Sequence, residues 1–354
     1  MLLSPTIDGL ARAGQELRAG RLVSFPTETV YGLGANAFDA KALLSIFEAK
    51  GRPLTDPLIV HVPTVDAALK LVELDEKGTK LFKTLAKAFW PGPLTLIAPA
   101  VPALPREVSA NTGFVGIRIP NHPIALSLLT EAKVPVAAPS ANRFGHVSPT
   151  TAQHVINDLG SYHGGLHVID NSGSSCCQVG IESTVAKLVP ENNQLLIFRR
   201  GGVSEAALDN VLNKRLGMKI DIVYAQRVVA DHSTQNQVAP GQLLTHYAPD
   251  VETYMLEPLT VSPTPTAQMK SWVILDFRGA LAHLKPHVAG YLDLSTTGDI
   301  AQAAHVVFDS LRWAEQVPGA TRILIPDVSK VHHEHASALH DRLYRASSGK
   351  RFQF

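Results

Sequence analysis

Six cations stand at or just beyond the ends of elements predicted from the hydrophobic pattern: Lys50, Arg52, Arg118, Arg143, Arg199 and Arg200. No G-x-x-x-x-G-K-[ST] phosphate loop occurs, and Gly32-Leu-Gly34 lacks the third glycine of a dinucleotide fingerprint. Cations at loop ends are then the remaining device for holding an anion. If the strands form one open sheet, several of these cations gather at one rim, where such sheets place ligands. Taken singly, each also reads as a solvated surface residue. Oxygens accompany them. The stretch Pro26 to Gly34, PTETVYGLG, follows the apolar run Leu22 to Phe25, reads on its own as a polar strand-to-loop turn, and offers two threonines, a glutamate and glycines that permit close approach. Pro139-Ser-Ala-Asn142 follows Val134 to Ala138, so Ser140 and Asn142 can cradle a phosphate or hold a base. Ser183 and Thr184 open a strand after Gly180-Ile-Glu182; a strand-start cap is the plain reading. His61 lies in an apolar strand, where a satisfied core histidine is the plain reading.

Two further clusters carry less. His332, His333, His335 and His340 look like metal ligands but lack H-E-x-x-H spacing and fall at an exposed helix start. Cys176 and Cys177, the chain's only cysteines, are adjacent, which excludes a disulfide framework and weighs against a thiolate metal cluster. They read as part of a loop from Gly173, or as an oxidation sensor.

The elements that position these residues alternate. Apolar spacing predicts helices over 6–19, 39–50, 64–72, 79–89, 122–132, 150–159 and 204–216. In the first, Ile7, Leu10, Ala11 and Leu17 share a face; in the second, capped by Asp39, Leu43, Leu44 and Phe47 do. Strands are predicted at 22–25, 58–62, 95–98, 115–119, 134–138, 166–169, 183–189 and 195–198. Residues 1–212 thus form an α/β domain. Residues 213–250, with weak periodicity and turn signals, read as a linker lying as a lid over a site. Residues 251–354 form a smaller α/β domain with strands at 272–275 and 322–325 and helices at 299–316 and 334–346.

A chain of 354 residues, 45% hydrophobic, is long enough for two domains with real cores. Its 32 basic and 31 acidic side chains balance within each segment: 18 and 18 over residues 1–212, 4 and 3 over 213–250, 10 and 10 over 251–354. No broad field attracts nucleic acid or an anionic membrane, so an anion site must be a local concentration of cations. The start, MLLSPTID, has no signal-peptide pattern, and no run approaches the ~18 apolar residues of a membrane span. The expectation is a soluble, cytoplasmic protein.

In order along the chain, PTETVYGLG, KGRP with PLIVH, PGPLT, GIRIPNHP, PSANRFGHVSPTTAQHV, VGIEST, FRRGG and APGQLLTHYAP resemble the YrdC-like family of threonylcarbamoyl-AMP synthases in its long, two-domain form. The resemblance covers essentially the whole chain and is most specific from Pro26 to Ser148. It implies an α/β fold: a YrdC-like twisted open sheet with helices, then a smaller, Rossmann-like C-terminal α/β domain. It also implies a nucleotidyltransferase that condenses L-threonine, bicarbonate and ATP into L-threonylcarbamoyladenylate and pyrophosphate, for the threonylcarbamoyladenosine modification of tRNA. In that pattern Lys50 and Arg52 are catalytic, and they face ATP together with Asp56, Ser140, Asn142, Ser148 and Arg199, while Tyr247 closes over the nucleotide. Thr29, His61, Arg118, the backbone at Ala138 and Ser183 hold threonine. Mg²⁺ is implied with ATP, held by phosphate oxygens and water and by no protein metal site. The implied partners are downstream threonylcarbamoyl-transfer proteins and a weak tRNA contact, with no membrane.

Asp56 departs from the Asn common in the family, and Arg200 from a Pro. Gln242, Leu243 and Leu244 replace Met, Lys and Tyr. Two other readings remain. A non-catalytic RNA-binding module is opposed by the balanced charge of every segment and the lack of aromatic stacking motifs. A carbamoyltransferase-type YrdC domain, as in hydrogenase-maturation proteins, is opposed by the lack of cysteine-rich zinc modules.

Overall fold

The computed structural model describes residues 1–171, 177–216, 219–225, 236–240, 246–258 and 262–354. Cys176 and the linker positions Gln242, Leu243 and Leu244 lie outside them; Cys177 is buried.

Among the described residues the strands form two sheets. The larger contains β1 (Leu2–Leu3), β2 (Leu22–Phe25), β3 (Gly32–Asn36), β4 (Ile59–His61), β5 (Leu94–Pro99), β6 (Phe114–Arg118), β7 (Val136–Ala137), β8 (Leu166–Ile169), β9 (Thr184–Val189), β10 (Gln194–Arg199) and β11 (Asp221–Tyr224). Their order is β1-β8-β2-β3-β7-β4-β6-β5-β9-β10-β11, with parallel and antiparallel pairs mixed. The helices α1 (Ile7–Arg18), α2 (Ala40–Lys50), α3 (Val65–Leu69), α4 (Glu76–Phe89), α5 (Pro123–Ala132), α6 (Ala152–Leu159) and α7 (Glu205–Leu216) connect these strands. The smaller sheet contains β12 (Thr253–Leu256), β13 (Trp272–Asp276), β14 (Gly290–Asp293), β15 (Arg322–Ile325) and β16 (Arg351–Phe352), in the order β14-β13-β15-β12-β16. Every pair in it is parallel, and α8 (Ile300–Gln316) and α9 (Ala336–Ala346) accompany it.

Local sequence decides where α2 points its side chains. Asp39 accepts hydrogen bonds from the N–H groups of Lys41 and Ala42 and starts the helix. Leu43, Ile46, Phe47 and Lys50 then recur at i, i+3, i+4 and i+7 and are buried, so the lysine belongs to the core-facing stripe. Leu44, expected on that face, is 43% exposed, and in α1 the expected Ile7 is 87% exposed while Ala13 and Leu17 are buried. Gly51 ends α2 in the left-handed region at φ 62°, which turns Arg52 back so that its N–H reaches Phe47 O at 2.9 Å.

Gly32-Leu-Gly34 is part of a strand, where the sequence reads as a polar loop. β3 pairs with β2, Phe25 opposite Gly32, and with β7, Ala35 opposite Ala137. A Cβ at Gly34 would lie 2.8 Å from Val136 Cγ1 and 3.0 Å from Phe25 Cε1, so the glycine is what lets these side chains pack against the strand. The stretch read as a linker opens with ordered elements. α7 runs to Leu216, and β11 joins the edge of the larger sheet with Ile222 opposite Leu195. Four residues that are half-buried or exposed leave too weak an alternation to mark such an edge strand.

The two sheets share apolar contacts across the molecule. Val30, Val147, Ile181 and Tyr247 belong to one buried cluster with Met255, Phe308, Leu311 and Leu343, so α8 and α9 pack over the loops that follow β2 and β7. No helix among the described residues is long and apolar enough to cross a membrane.

Gly34→Ala is expected to destabilise the protein by about 1–3 kcal/mol, because the sheet must open to admit one methyl group. Urea unfolding measures this, and an unchanged midpoint would refute the close-approach account.

Candidate active site

The cleft is built at the ends of strands that approach from different directions. β4 and β6 run parallel with His61 opposite Arg118, which places imidazole and guanidinium side by side. The loop after β2 folds over them. Thr27 Oγ1 donates to Val30 O at 2.6 Å and accepts from the N–H groups of Thr29 and Val30, both at 3.2 Å. That turn fixes Thr29, whose Oγ1 accepts from Arg118 Nη2 at 2.9 Å. Glu28 Oε1 lies 2.8 Å from the same nitrogen, while Arg118 Nε is buried with no acceptor. Burial, and secondarily the charge of Arg118, pushes the His61 pKa down to about 3, so the imidazole is neutral at physiological pH.

A second group of cations lies beside the first. Lys50 Nζ donates to Ser140 O at 2.6 Å and also to Asn142 O. Asn142 spends its amide on the carbonyls of Arg143 and His146, leaving its buried Oδ1 without a partner. Arg52 is held by Asp56 O at 3.1 Å, Pro57 O at 2.7 Å and the Asp56 carboxylate at 3.0 Å. Burial, followed by the charge of Arg52, holds the Lys50 pKa well below its ordinary value. An incoming anion would relieve both effects. Arg199 donates to Ser183 O and Ser183 Oγ, each at 3.1 Å, and Thr95 Oγ1 is 2.8 Å from the same hydroxyl.

Thr29, Arg52, His61, Arg118, Ala138, Ser140, Ser183 and Arg199 line one cavity of about 50 Å³, roofed by Pro240 and His246. Lys50, Asp56 and Ser148 lie one bond behind the wall, on Ser140, Arg52 and Glu182 respectively. Asn142 is joined to it through Lys50. Tyr247 is buried beside His246, its ring 5.3 Å from that of Phe308. Two of the six cations do not converge. Arg143 pairs with Asp250 at 2.7 Å on the surface. Arg200, adjacent in sequence to inward-facing Arg199, pairs with Glu205 at 2.8 Å and covers the Tyr224 ring. The histidine run is also elsewhere: His332 and His333 are exposed, and His340 lies 3.2 Å from Asp327.

The second domain braces residues around the cleft. Arg312, from α8, donates to both Asp158 oxygens at 3.1 and 2.9 Å and to Val147 O at 2.5 Å. His146 binds Asp158 through Nδ1 at 2.9 Å and Glu315 through Nε2 at 3.0 Å. Burial opposes its charge, but the two carboxylates outweigh burial and raise its pKa to about 9. His146, Asp250 and Glu315 hold potential ligand atoms within 4.8 Å of one another, but both imidazole nitrogens of His146 already serve carboxylates, so the group is an ion-pair cluster. From α9, Arg342 pairs with Glu182 at 3.0 Å. Glu182, His246, Arg312 and Arg342 were missed as site residues from sequence, and Glu28 was read only as one of the oxygens of PTETVYGLG. Arg312 and Arg342 carried a signal: each is a cation on an apolar helical face.

Such an arrangement defines a two-domain α/β protein whose closed cleft is built for an anionic ligand. Residues 15–201 match a family model described as telomere recombination, and residues 203–348 match one described as the C-terminal domain of threonylcarbamoyl-AMP synthase. The threonylcarbamoyl-AMP synthases of Bacillus subtilis and Pyrococcus abyssi are each 40% identical to it, over 70% and 68% of this chain. Those alignments span 66% of each relative's length, just under two thirds. The crystal structure of P. abyssi Sua5 complexed with L-threonine matches at a TM-score of 0.83 and 30% identity, covering 100% of this chain and 99% of that one. The chain belongs to the threonylcarbamoyl-AMP synthase family.

The His146 cluster has a defined pH dependence. Its folded pKa of about 9 exceeds the ordinary 6.5, so its stabilisation is complete below about 6.5 and is lost as pH rises through about 9. Urea midpoints should fall between pH 7 and 10, and His146→Gln should flatten that fall. An equal slope in both proteins would contradict the charged-histidine account.

Proposed function

We propose that the chain condenses L-threonine, bicarbonate and ATP into threonylcarbamoyl-AMP and pyrophosphate. The observation that carries this reading is the meeting, in one cleft, of Arg118 with Thr29 and neutral His61, and of Arg52 and Arg199 with Ser140 and Ser183, with Lys50 held one bond behind Ser140. Arg118 receives the threonine carboxylate, using the unpartnered Nε in a two-pronged contact. Thr29, His61, Ser183 and the backbone at Ala138 enclose the rest of the amino acid. The threonine amine and bicarbonate give a carbamate and water, and a carbamate oxygen attacks the α-phosphorus in line as pyrophosphate leaves. Such a transfer requires positioning and charge, with no protein nucleophile.

Lys50 and Arg52 stabilise the phosphate charge that grows in this step, while Ser140, Asn142, Ser148 and Arg199 complete the nucleotide subsite. The described carboxylates near the cleft are each paired with an arginine: Glu28 with Arg118, Asp56 with Arg52, and Glu182 with Arg342. They are not arranged as a cage for a divalent cation. Mg²⁺ in this proposal arrives with ATP, held by phosphate oxygens and water, and neutralises phosphate charge. The present cavity of about 50 Å³ is far below the ~300–1,000 Å³ of a typical ligand pocket, so Pro240, His246 and Tyr247 move aside as ATP enters. The product passes, in the cytoplasm, to threonylcarbamoyl-transfer proteins that modify tRNA.

Pyrophosphate release should require both threonine and bicarbonate, and release that continues without threonine would overturn the reading. Arg118→Ala should raise the threonine KM by about 30-fold or more with little change in the ATP KM, because one partner of a buried charge contact is lost. Steady-state kinetics reads both, and equal effects on the two substrates would contradict the assignment.

A further inference from the structure

Arg342 is fully buried on α9, in the second domain, yet its bonds run to the wall of the cleft in the first. Its Nε lies 3.0 Å from Glu182 Oε2, its Nη1 donates to Arg200 O at 2.6 Å, and its guanidinium covers the Tyr247 ring at 5.6 Å. Nη2 is buried with no acceptor. Asp341 adds a longer contact at 3.4 Å. Glu182 lines the cavity, and its other oxygen, Oε1, accepts from Ser148 Oγ at 2.7 Å. Ser148 is held from its opposite side by the same domain, since Arg312 Nε donates to Ser148 O at 3.4 Å.

A buried carboxylate in a cleft for ATP would repel phosphate if its charge stood alone. Burial would also raise the Glu182 pKa, but Arg342 and then Arg199 outweigh it and keep the carboxylate ionised. An ionised Glu182 accepts from the Ser148 hydroxyl and fixes its rotamer. The guanidinium that neutralises the carboxylate is the one that seats Tyr247. One cation thus governs an acid in the wall, a hydroxyl of the nucleotide subsite and an aromatic ring of its cover.

We propose that Arg342 is a positioning residue of the nucleotide subsite, acting through Glu182 on Ser148 and through its face on Tyr247. The second domain thereby completes the ATP side of the cleft. This inference rests on the synthase reading and makes a separable prediction. Arg342 touches none of the residues assigned to threonine, so its loss should affect the two substrates unequally.

The test is ATP and threonine kinetics on the full chain carrying Arg342→Met, Ser148→Ala, or both, with ATP affinity also measured by calorimetric titration. Arg342→Met should raise the ATP KM and weaken ATP binding by about tenfold or more while threonine KM changes less than about twofold. In the Ser148→Ala background the same change should cost less than about threefold, because residues acting in one chain of contacts are not additive. If Arg342→Met does not fold, Arg342→Lys reads the same quantities, since it keeps the charge and loses the planar fork. Equal changes for both substrates, full additivity with Ser148→Ala, or an unchanged ATP KM would overturn the inference. Failure of the unaltered chain to make threonylcarbamoyl-AMP would instead remove the synthase reading.

Discussion

A cation buried in a protein is stable only where other groups replace the water it has lost, and the cleft of this chain is organised around that requirement. Lys50, Arg52, Arg118, Arg199 and Arg342 are all less than one-tenth exposed. Each is held by carbonyls, hydroxyls or a carboxylate on another part of the chain. The partners leave specific nitrogens unused, notably Arg118 Nε, and leave an acceptor unused at Asn142 Oδ1. The cations of such a site are preorganised: they are already desolvated and aimed, so a polyanion admitted by movement of Pro240, His246 and Tyr247 meets charges already in place.

That requirement also explains why the two domains form one working unit. Arg312 and Arg342 leave helices of the second domain and bind Asp158 and Glu182 of the first, while Tyr247 of the intervening segment packs against Phe308. Breaking either ion pair would strand a buried charge as well as weaken the interface.

Much of the site was legible because its residues lie in short ordered runs. The ends of the predicted strands brought Thr29, His61, Arg118, Ser140, Ser183 and Arg199 to one cavity. Periodicity was less reliable at element edges. Leu44 and Ile7 fitted an apolar face yet point to solvent, and Gly32-Leu-Gly34 read as a loop because glycine hides a strand whose faces are filled by Val136 and Phe25. β14 escaped because all four of its residues are half-buried and so carry no alternation. The bonds of Glu28, Glu182 and Arg342 could not be read, since their partners lie on other elements and only folding brings them together. One signal was available: Lys50 and Arg342 occupy positions of an apolar helical stripe, three residues after Phe47 and Leu339, where a cation must find a partner inside.

The central claim is that one cleft joins threonine, bicarbonate and the adenylate of ATP. Turnover with ¹³C-bicarbonate, ¹⁵N-threonine and ATP, followed by NMR, tests it most directly. The account predicts a nucleotide product in which ¹³C is bonded to ¹⁵N and coupled to a single phosphorus, formed together with pyrophosphate. Pyrophosphate and AMP accumulating during turnover with no ¹³C–¹⁵N species would contradict it.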